Sequence, residues 1–471
     1  MEVCQFIATE RHPYSLVDQE GFKAYAEYLV GGDVDMPSRY MVTKTIDEVA
    51  EEAFDQLSEM IQDQKQSDGT FCFSFDGWES WGRNFLGSAL FFIDNNLERH
   101  YESLELKKNE RDKTGESYKE DFDDILSSVG LTNDDVSYFV TDGERGLVRG
   151  IRLFKFPTTD EEESSKTIEP MRNHCVSHRI SLIMKAWFVN DCELVRKIRA
   201  TAKEFTGLGR DNLSPKIILD SSVETRWTGQ YSMVDSILKN EGAIKMILGD
   251  ACPLTLLDWE NVKQIFEVIS EVNTLYNFFQ KEGVGLLSSV LCEIGGFLNF
   301  CEKRLATPNP SFDLQILVDN FSDEFFGETK KLQRQPMIKA ALIDPRFCYL
   351  IRRICFQRGI LAEYETMYQE LAVRINELEP TKVTNDVDDK YGKEDDEESK
   401  EPRIDKLIKA GRKRKLEISV DPLDWFKDNP DFDYFKPLIR EFLNIPSGSD
   451  SVERIFKNAT MIYSAQRFDS Y

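Results

Sequence analysis

The spacing of apolar residues changes along the chain and predicts a succession of different segments. A 3.6-residue period predicts an amphipathic helix over residues 43–65, within an N-terminal helical segment of residues 1–66. From residue 67 to residue 192, short β-prone runs alternate with helical patterns. The predicted strands are residues 70–75, 84–93, 99–106, 136–141 and 172–176. The predicted helices are residues 115–129 and 146–154 and a third that ends at 187. This order predicts an α/β domain with a mixed sheet.

The second half of the chain has a different pattern. Residues 193–380 contain long segments with a helical period, which predict an all-α insertion domain. Residues 381–418 are highly charged and poor in apolar residues, so we expect a disordered linker. Apolar residues return in 419–471, where a helix is expected around Glu453. We therefore predict an α/β fold interrupted by a large all-helical insertion.

Composition narrows the class of protein. The chain has 471 residues, of which 41% are hydrophobic and 32 are Phe, so it is not wholly disordered. No apolar run approaches 18 residues, and the start has no charged and apolar leader, so we predict neither a membrane span nor a secretory signal. The nine cysteines have no paired spacing, which indicates free, buried thiols in a reducing compartment.

The charge distribution gives mixed signals about nucleic acid. The formal net charge is −25, whereas phosphate binding favours a basic surface. Part of the excess is local, because residues 386–401 contain nine acidic residues against three lysines. The next segment, residues 406–415, is basic and includes Lys413 and Arg414. It fits a nuclear-import signal or a DNA contact, and equally a solvated linker.

Three acidic residues stand out by their flanking sequence. Asp76 and Asp142 each follow an apolar, β-prone run, and Glu453 lies far downstream in a helical pattern. A carboxylate at a strand end is held rigidly, and two such aspartates with a helical glutamate suit a two-metal phosphoryl-transfer site. Hard cations such as Mg²⁺ prefer oxygen ligands. Among 84 acidic residues a single Asp is ordinarily a surface group, so the flanking residues carry this prediction.

Six motifs occur in one order along the chain. They are Phe75-Asp76-Gly77-Trp78, Thr141-Asp142-Gly143, Cys175-Val176-Ser177-His178, Thr225-Arg226-Trp227, Ala341-Leu342-Ile343-Asp344-Pro345-Arg346, and Leu443-Asn444-Ile445-Pro446-Ser447 with Ser451-Val452-Glu453-Arg454-Ile455-Phe456. In this order and spacing, from about residue 10 to residue 467, the chain resembles the hAT-superfamily DNA transposases. These are cut-and-paste enzymes with a ribonuclease-H-like fold interrupted by a helical insertion.

The resemblance implies an activity. Asp76, Asp142 and Glu453 correspond to the catalytic Asp-Asp-Glu set of the family and would bind Mg²⁺ or Mn²⁺. The implied reaction is two-metal cleavage and transfer of DNA strands, with a hairpin formed on the flanking DNA. If the chain is an active enzyme, these three carboxylates should converge. The resemblance also implies a nuclear protein and a homo-oligomer that assembles through a dimerisation region in residues 419–471.

The resemblance also assigns DNA contacts. Trp227 would stack on a flipped base, which offsets the cost of unstacking the duplex. Arg226 would contact phosphate, and His178 would lie near the scissile phosphate. Each role has a structural alternative: from sequence alone, Trp227 is more readily interpreted as a core residue of the insertion, and His178 can be a hydrogen-bonded imidazole at a helix start.

The sequence departs from the family pattern in three respects. Glu144 follows the second aspartate where relatives have a polar, Asn-containing stretch, and its charge could crowd the site or raise the pKa of Asp142. No N-terminal BED zinc finger is visible, and the chain ends 18 residues after Glu453. The acidic charge, the missing finger and the short C-terminus favour a second hypothesis, a domesticated and catalytically inactive nuclear factor that binds DNA or protein partners. The missing finger and the short C-terminus equally fit an incomplete sequence. A third hypothesis is an interaction scaffold built on the helical insertion, without a DNA role.

Overall fold

The structure, a computed structural model, describes residues 2–10, 12–80, 82–109, 112–155, 171–188, 193–208, 227–306, 312–378 and 402–467. The chain is mixed α/β and predominantly helical. It divides into two compact units, one of Met1–Thr159 with Ser449–Tyr471 and one of Asp160–Gly448. Within the described ranges, no helix has the length and apolar character needed to cross a membrane.

The first unit begins with helices and continues into a sheet. Its helices and strands before residue 160 are α1 (Glu2–Thr9), α2 (Glu20–Val30), α3 (Arg39–Gln66), β1 (Phe71–Ser80), β2 (Arg83–Ile93), β3 (Arg99–Asn109), α4 (Gly115–Ser128), β4 (Val136–Thr141) and α5 (Arg145–Lys155). A 3₁₀ helix, Tyr14–Asp18, separates α1 from α2. The predicted strands and helices of residues 43–154 are confirmed, with shifts of a few residues at their ends.

The sheet of this unit is mixed, with the strand order β3-β2-β1-β4. β2 pairs antiparallel with β1 and with β3, whereas β4 runs parallel to β1. One prediction is wrong: β1 does not end before Asp76 but continues to Ser80. The reason is the hairpin to β2, whose pairing with β1 extends to Ser80 opposite Arg83. Asp76 therefore lies inside a strand.

The second unit is almost entirely helical. Its elements are β5 (Arg172–His174), α6 (Val176–Ala186), α7 (Glu193–Leu208), α8 (Trp227–Lys239), α9 (Glu241–Leu248), α10 (Leu256–Phe279), α11 (Val290–Leu305), α12 (Phe312–Phe326), α13 (Lys331–Ile343), α14 (Ile351–Gln357), α15 (Leu361–Glu377), α16 (Arg403–Arg414), α17 (Pro422–Lys427) and α18 (Lys436–Phe442). The last helix of the chain, α19 (Asp450–Arg467), returns to the first unit.

The helical period of the second half is borne out by these elements. One predicted helix, residues 229–248, is in fact the two helices α8 and α9, which meet at Asn240. A cap stabilises the start of the long helix α10, where Thr255 and Asp258 form a reciprocal capping box. The limits of the insertion as a domain stay a prediction.

The expectation of disorder over residues 381–418 is wrong for its last part. Helix α16 is formed there, and Ile404 and Leu407 on its inner face are fully buried. Its Gly411 packs closely, since a Cβ there would lie 2.6 Å from the carbonyl oxygen of Pro345. The average composition of the segment obscured this short apolar stripe. Residues 379–401 lie outside the described residues.

A buried ion pair lies just after α13. The side chains of Asp344 and Arg346 are fully buried and 2.7 Å apart. Arg346 also donates to the carbonyl oxygens of Ile418 and Val420, so it fixes the segment that follows α16. Ser288 donates to Asp344 over 2.6 Å, which satisfies the carboxylate further. The motif that contains these residues therefore has a clear packing role.

Candidate active site

The register of β1 and β4 brings the two predicted aspartates to neighbouring positions. Phe75 on β1 pairs with Thr141 on β4, and each is followed by one of the aspartates, Asp76 and Asp142. Neighbouring strands lie about 4.8 Å apart, so the two residues are adjacent across the sheet. Asp142 is half-buried, and its Oδ1 accepts a hydrogen bond of 2.8 Å from the backbone N–H of Glu144.

Asp76 lies in the least hydrated position of the three acids. Its residue surface is 7% exposed, and Ser449 donates a hydrogen bond of 3.1 Å to its Oδ2. Burial raises its pKa well above the ordinary range, and the negative charges of Asp142 and Glu453 raise the pKa further. The hydrogen bonds from Ser449 and from the Gly77 backbone act in the opposite direction without cancelling this. The three predicted acids therefore form one electrostatic group.

Helix α19 brings Glu453 to the sheet through close packing. Gly87, which pairs with Asp76 in the sheet register, lies under Val452 and Phe456 of this helix. A Cβ at Gly87 would lie 2.5 Å from Val452 Cγ1, so only a glycine allows this approach. The ring of Phe456 stacks on Trp78 at a centroid distance of 5.6 Å. Glu453 itself is exposed.

A fourth carboxylate, that of Glu144, lies beside this group. A Cβ on Gly77 would be 3.3 Å from Glu144 Oε2, which places the carboxylate next to the residue that follows Asp76. The hydroxyl of Tyr118 lies 3.3 Å from both Glu144 oxygens. Burial and the charge of Glu144 raise the pKa of the Tyr118 phenol. The sequence singled out Glu144 as a departure, and the structure shows it held in place by Tyr118.

Sequence reasoning missed two contributors to this group. Tyr118 lies on α4, and nothing in its local sequence distinguishes it from a core aromatic residue. Ser449 did leave a signal, because Ser447 and Ser449 directly precede α19, where serines commonly cap helix starts. Its backbone carbonyl indeed accepts from the N–H groups of Val452 and Glu453.

The chemistry of the donor set fits a hard divalent cation. Asp76, Asp142 and Glu453 offer carboxylate oxygens, which hard cations prefer. The raised pKa of Asp76 reflects first its burial and then the negative charges of the other two acids. The spacing is less favourable: within the described ranges, no three His, Cys, Asp or Glu side chains are arranged closely enough to hold a metal ion. The three acids thus share one electric field without forming a closed ligand cage.

The predicted His178 lies in a basic region of the second unit. It is half-buried in the first turn of α6, close to His174 on β5. Burial lowers the pKa of His174 to about 3, and the charges of Arg172, Arg179 and Lys330 contribute to this. His174 is therefore neutral at ordinary pH, in surroundings that already contain several cations.

The remaining predicted DNA contacts have different outcomes. Trp227 is only 3% exposed at the start of α8, with its indole edge-on to Tyr276 at 5.4 Å. The structure thus shows the core alternative for this residue, and base stacking stays a prediction. Arg226 lies outside the described residues. Lys413 and Arg414 are exposed in the last turn of α16.

Comparison with known proteins supports a distant relationship. No model of a protein family matches the chain. The chain is similar to the "Transposable element Hobo transposase" of Drosophila melanogaster, with 24% identity over 322 residues. The match covers 65% of this chain and 47% of the relative, so the chain spans about half the length of the protein it matches. The chain is a distant relative of a transposase.

Proposed function

We propose that the chain is a DNA-binding, transposase-like protein of the hAT type, with a ribonuclease-H-like fold. One observation carries the proposal: Asp142 and Glu453 lie far from Asp76 in sequence but in the same compact unit, and their negative charges raise the pKa of the Asp76 carboxyl. The order of strands and the late return of α19 are compatible with such a fold. The distant similarity to Hobo transposase supports the same interpretation.

Each acid would have a defined task in DNA cleavage. Asp76, rigid and buried within β1, and Asp142, at the end of β4, would hold Mg²⁺ or Mn²⁺ together with Glu453. Bound divalent ions would promote attack on the phosphorus and stabilise the leaving oxygen. Ser449 would orient the Asp76 carboxylate through its hydrogen bond. Tyr118 would keep Glu144 in a fixed position beside the group.

The proposed DNA contacts lie mainly in the second unit. The exposed Lys413 and Arg414 would neutralise backbone phosphates, and such contacts position DNA without reading its sequence. His178 and Arg226 would approach phosphate, and Trp227 would stack on a flipped base once its indole becomes accessible. We further propose a nuclear location and a homo-oligomer through the C-terminal region.

The test is Mn²⁺-dependent nicking and strand transfer on supercoiled plasmid DNA. The full chain should nick DNA, and Asp142→Ala should abolish this activity. The control is Asp55→Asn, which removes an exposed carboxylate of α3 in the same unit and should leave activity unchanged. If folded wild-type protein gives no product, or if Asp142→Ala is as active as wild type, the catalytic proposal is refuted.

A second candidate function is favoured by the burial of Trp227. A domesticated, catalytically inactive factor would need no exposed indole for hairpin formation, but would retain the basic end of α16. This candidate predicts DNA binding without cleavage. Fluorescence anisotropy with labelled duplex DNA would then show a strong dependence on salt, and affinity would fall in Lys413→Gln. Duplex binding that does not depend on salt concentration and is unchanged in Lys413→Gln would exclude this second candidate function.

A further inference from the structure

A cavity of about 260 Å³ lies between α14, α15 and the basic helix α16, in the second unit. Side chains from all three helices line it, including Arg352, Tyr364 and Arg412. Small-molecule sites usually occupy about 300–1,000 Å³, so this cavity suits one small ligand that extends partly through the opening.

The charged side chains that line the cavity differ in whether they form salt bridges or hydrogen bonds. Arg352 lies 3.3 Å from Glu365, and Asp405 accepts a hydrogen bond of 2.9 Å from the Tyr368 hydroxyl. Arg412 is exposed and forms no salt bridge with any described residue. A guanidinium without a counter-ion, at the wall of a cavity, is suited to a planar or tetrahedral anion such as phosphate.

The rings that line the cavity favour a flat ligand. Tyr349 and Tyr368 are half-buried and contribute aromatic surface. Tyr364 is only 3% exposed, and its ring supports that of Tyr368 at a centroid distance of 6.1 Å. Aromatic side chains beside a cationic group are the usual combination for holding a base and its phosphate. The carboxylate of Asp405 could accept from an amino or hydroxyl group of the same ligand.

We propose that this cavity binds a nucleoside phosphate, with the phosphate on Arg412 and the base against the tyrosine rings. The chemistry is shared by a free mononucleotide and by one nucleotide of a single strand. The site is separate from the carboxylate group of the first unit. This proposal can therefore be tested independently of the proposed DNA cleavage.

The test is isothermal titration calorimetry on the full chain with AMP. Wild type should bind one AMP per chain, whereas adenosine and inorganic phosphate alone should bind at least tenfold more weakly. Arg412→Gln should weaken AMP binding at least tenfold, and Arg412→Lys, which keeps the charge but not the fork of donors, should have a smaller effect. The matched control is Arg353→Gln, an exposed neighbour of Arg352 that does not line the cavity.

The single-strand source is tested with the oligonucleotide d(A)8. Binding of d(A)8 that depends on Arg412, without AMP binding, would assign the cavity to a strand and support the proposal. Asp142→Ala should leave either ligand's affinity unchanged, which separates this site from the proposed active site. If wild-type protein binds neither AMP nor d(A)8, the proposal is overturned, and this outcome does not depend on the folding of any variant. Equal losses in Arg412→Gln and Arg353→Gln overturn it as well.

Discussion

Replacing Gly87 by Ala should loosen the helix that carries Glu453. An added Cβ would lie 2.5 Å from Val452 Cγ1 and 2.6 Å from Phe456 Cε1. Ordinary contacts between carbon atoms are about 3.5–4.0 Å, so α19 would have to move by about 1 Å. Such overpacking costs about 1–3 kcal/mol, and the loss of glycine's freedom in the unfolded chain offsets about 0.4–1 kcal/mol. We expect a net loss of about 1–2 kcal/mol.

Hydrogen exchange measured by mass spectrometry would follow this loss locally. The chain has two compact units, and exchange reports the opening of α19 itself rather than that of the other helices. For a loss of about 1.4 kcal/mol in the stability of α19, exchange of its amides should be about tenfold faster in Gly87→Ala than in wild type. The affinity for Mn²⁺ should fall in parallel, because Glu453 moves with the helix.

Gly21→Ala provides a matched control for this variant. Gly21 lies in α2 of the same unit, and a Cβ there meets nothing within 4 Å. Ala favours helix over Gly by about 1 kcal/mol, so this variant should leave α19 exchange unchanged or stabilise the N-terminal helices slightly. Unchanged α19 exchange in Gly87→Ala, or equal acceleration in both variants, would refute the packing argument.

Three other predictions address the buried charges. Burial raises the pKa of Glu293 to about 7, above its ordinary 4.5, so its contribution to stability is present below about pH 4.5 and is lost as the pH rises through about 7. This loss of stability is at most about 3 kcal/mol. Chemical unfolding of Glu293→Gln between about pH 4.5 and pH 7 should show no such loss. The same dependence of stability on pH in both proteins would contradict this. Arg346→Met should lower the free energy of unfolding by about 3–5 kcal/mol in urea, because it leaves Asp344 buried without its partner, and a loss below about 1 kcal/mol would be too small. Tyr118→Phe and Glu144→Gln should change the Mn²⁺ affinity, measured by calorimetry, in the same direction. The effect of Tyr118→Phe should be smaller, because it only releases the carboxylate that Glu144→Gln neutralises. Opposite effects of the two variants would exclude this role for Tyr118.

Local sequence patterns predict most of the secondary structure here for physical reasons. The strands around Phe73 and Phe139 and the long helices carry regular apolar periods, which reflect burial on one or both faces. The motif order assigned Asp76, Asp142 and Glu453 to one site, and this assignment stays a prediction. The charges of Asp142 and Glu453 do raise the pKa of Asp76. Their spacing for metal binding depends on side-chain positions that no local pattern encodes.

The failures arose where tertiary contacts decide the structure. β1 extends past Asp76 because β2 pairs with it, and α16 forms because Ile404 and Leu407 find a buried surface. The contact of Tyr118 with Glu144 joins α4 to the turn after β4, and sequence spacing cannot reveal it. For Trp227 the sequence left a core role and a stacking role open, and packing against Tyr276 buries the indole.

The most direct test of the proposed cation site is a titration of the full chain with Mn²⁺, in which electron paramagnetic resonance measures the bound ion. Mn²⁺ should bind saturably to wild type. Asp76→Asn, Asp142→Asn and Glu453→Gln should each weaken binding at least tenfold, about 1.4 kcal/mol, whereas Asp55→Asn should not. Wild-type protein without saturable binding, or equal affinity in all four variants, would contradict the claim that these three carboxylates form one cation site.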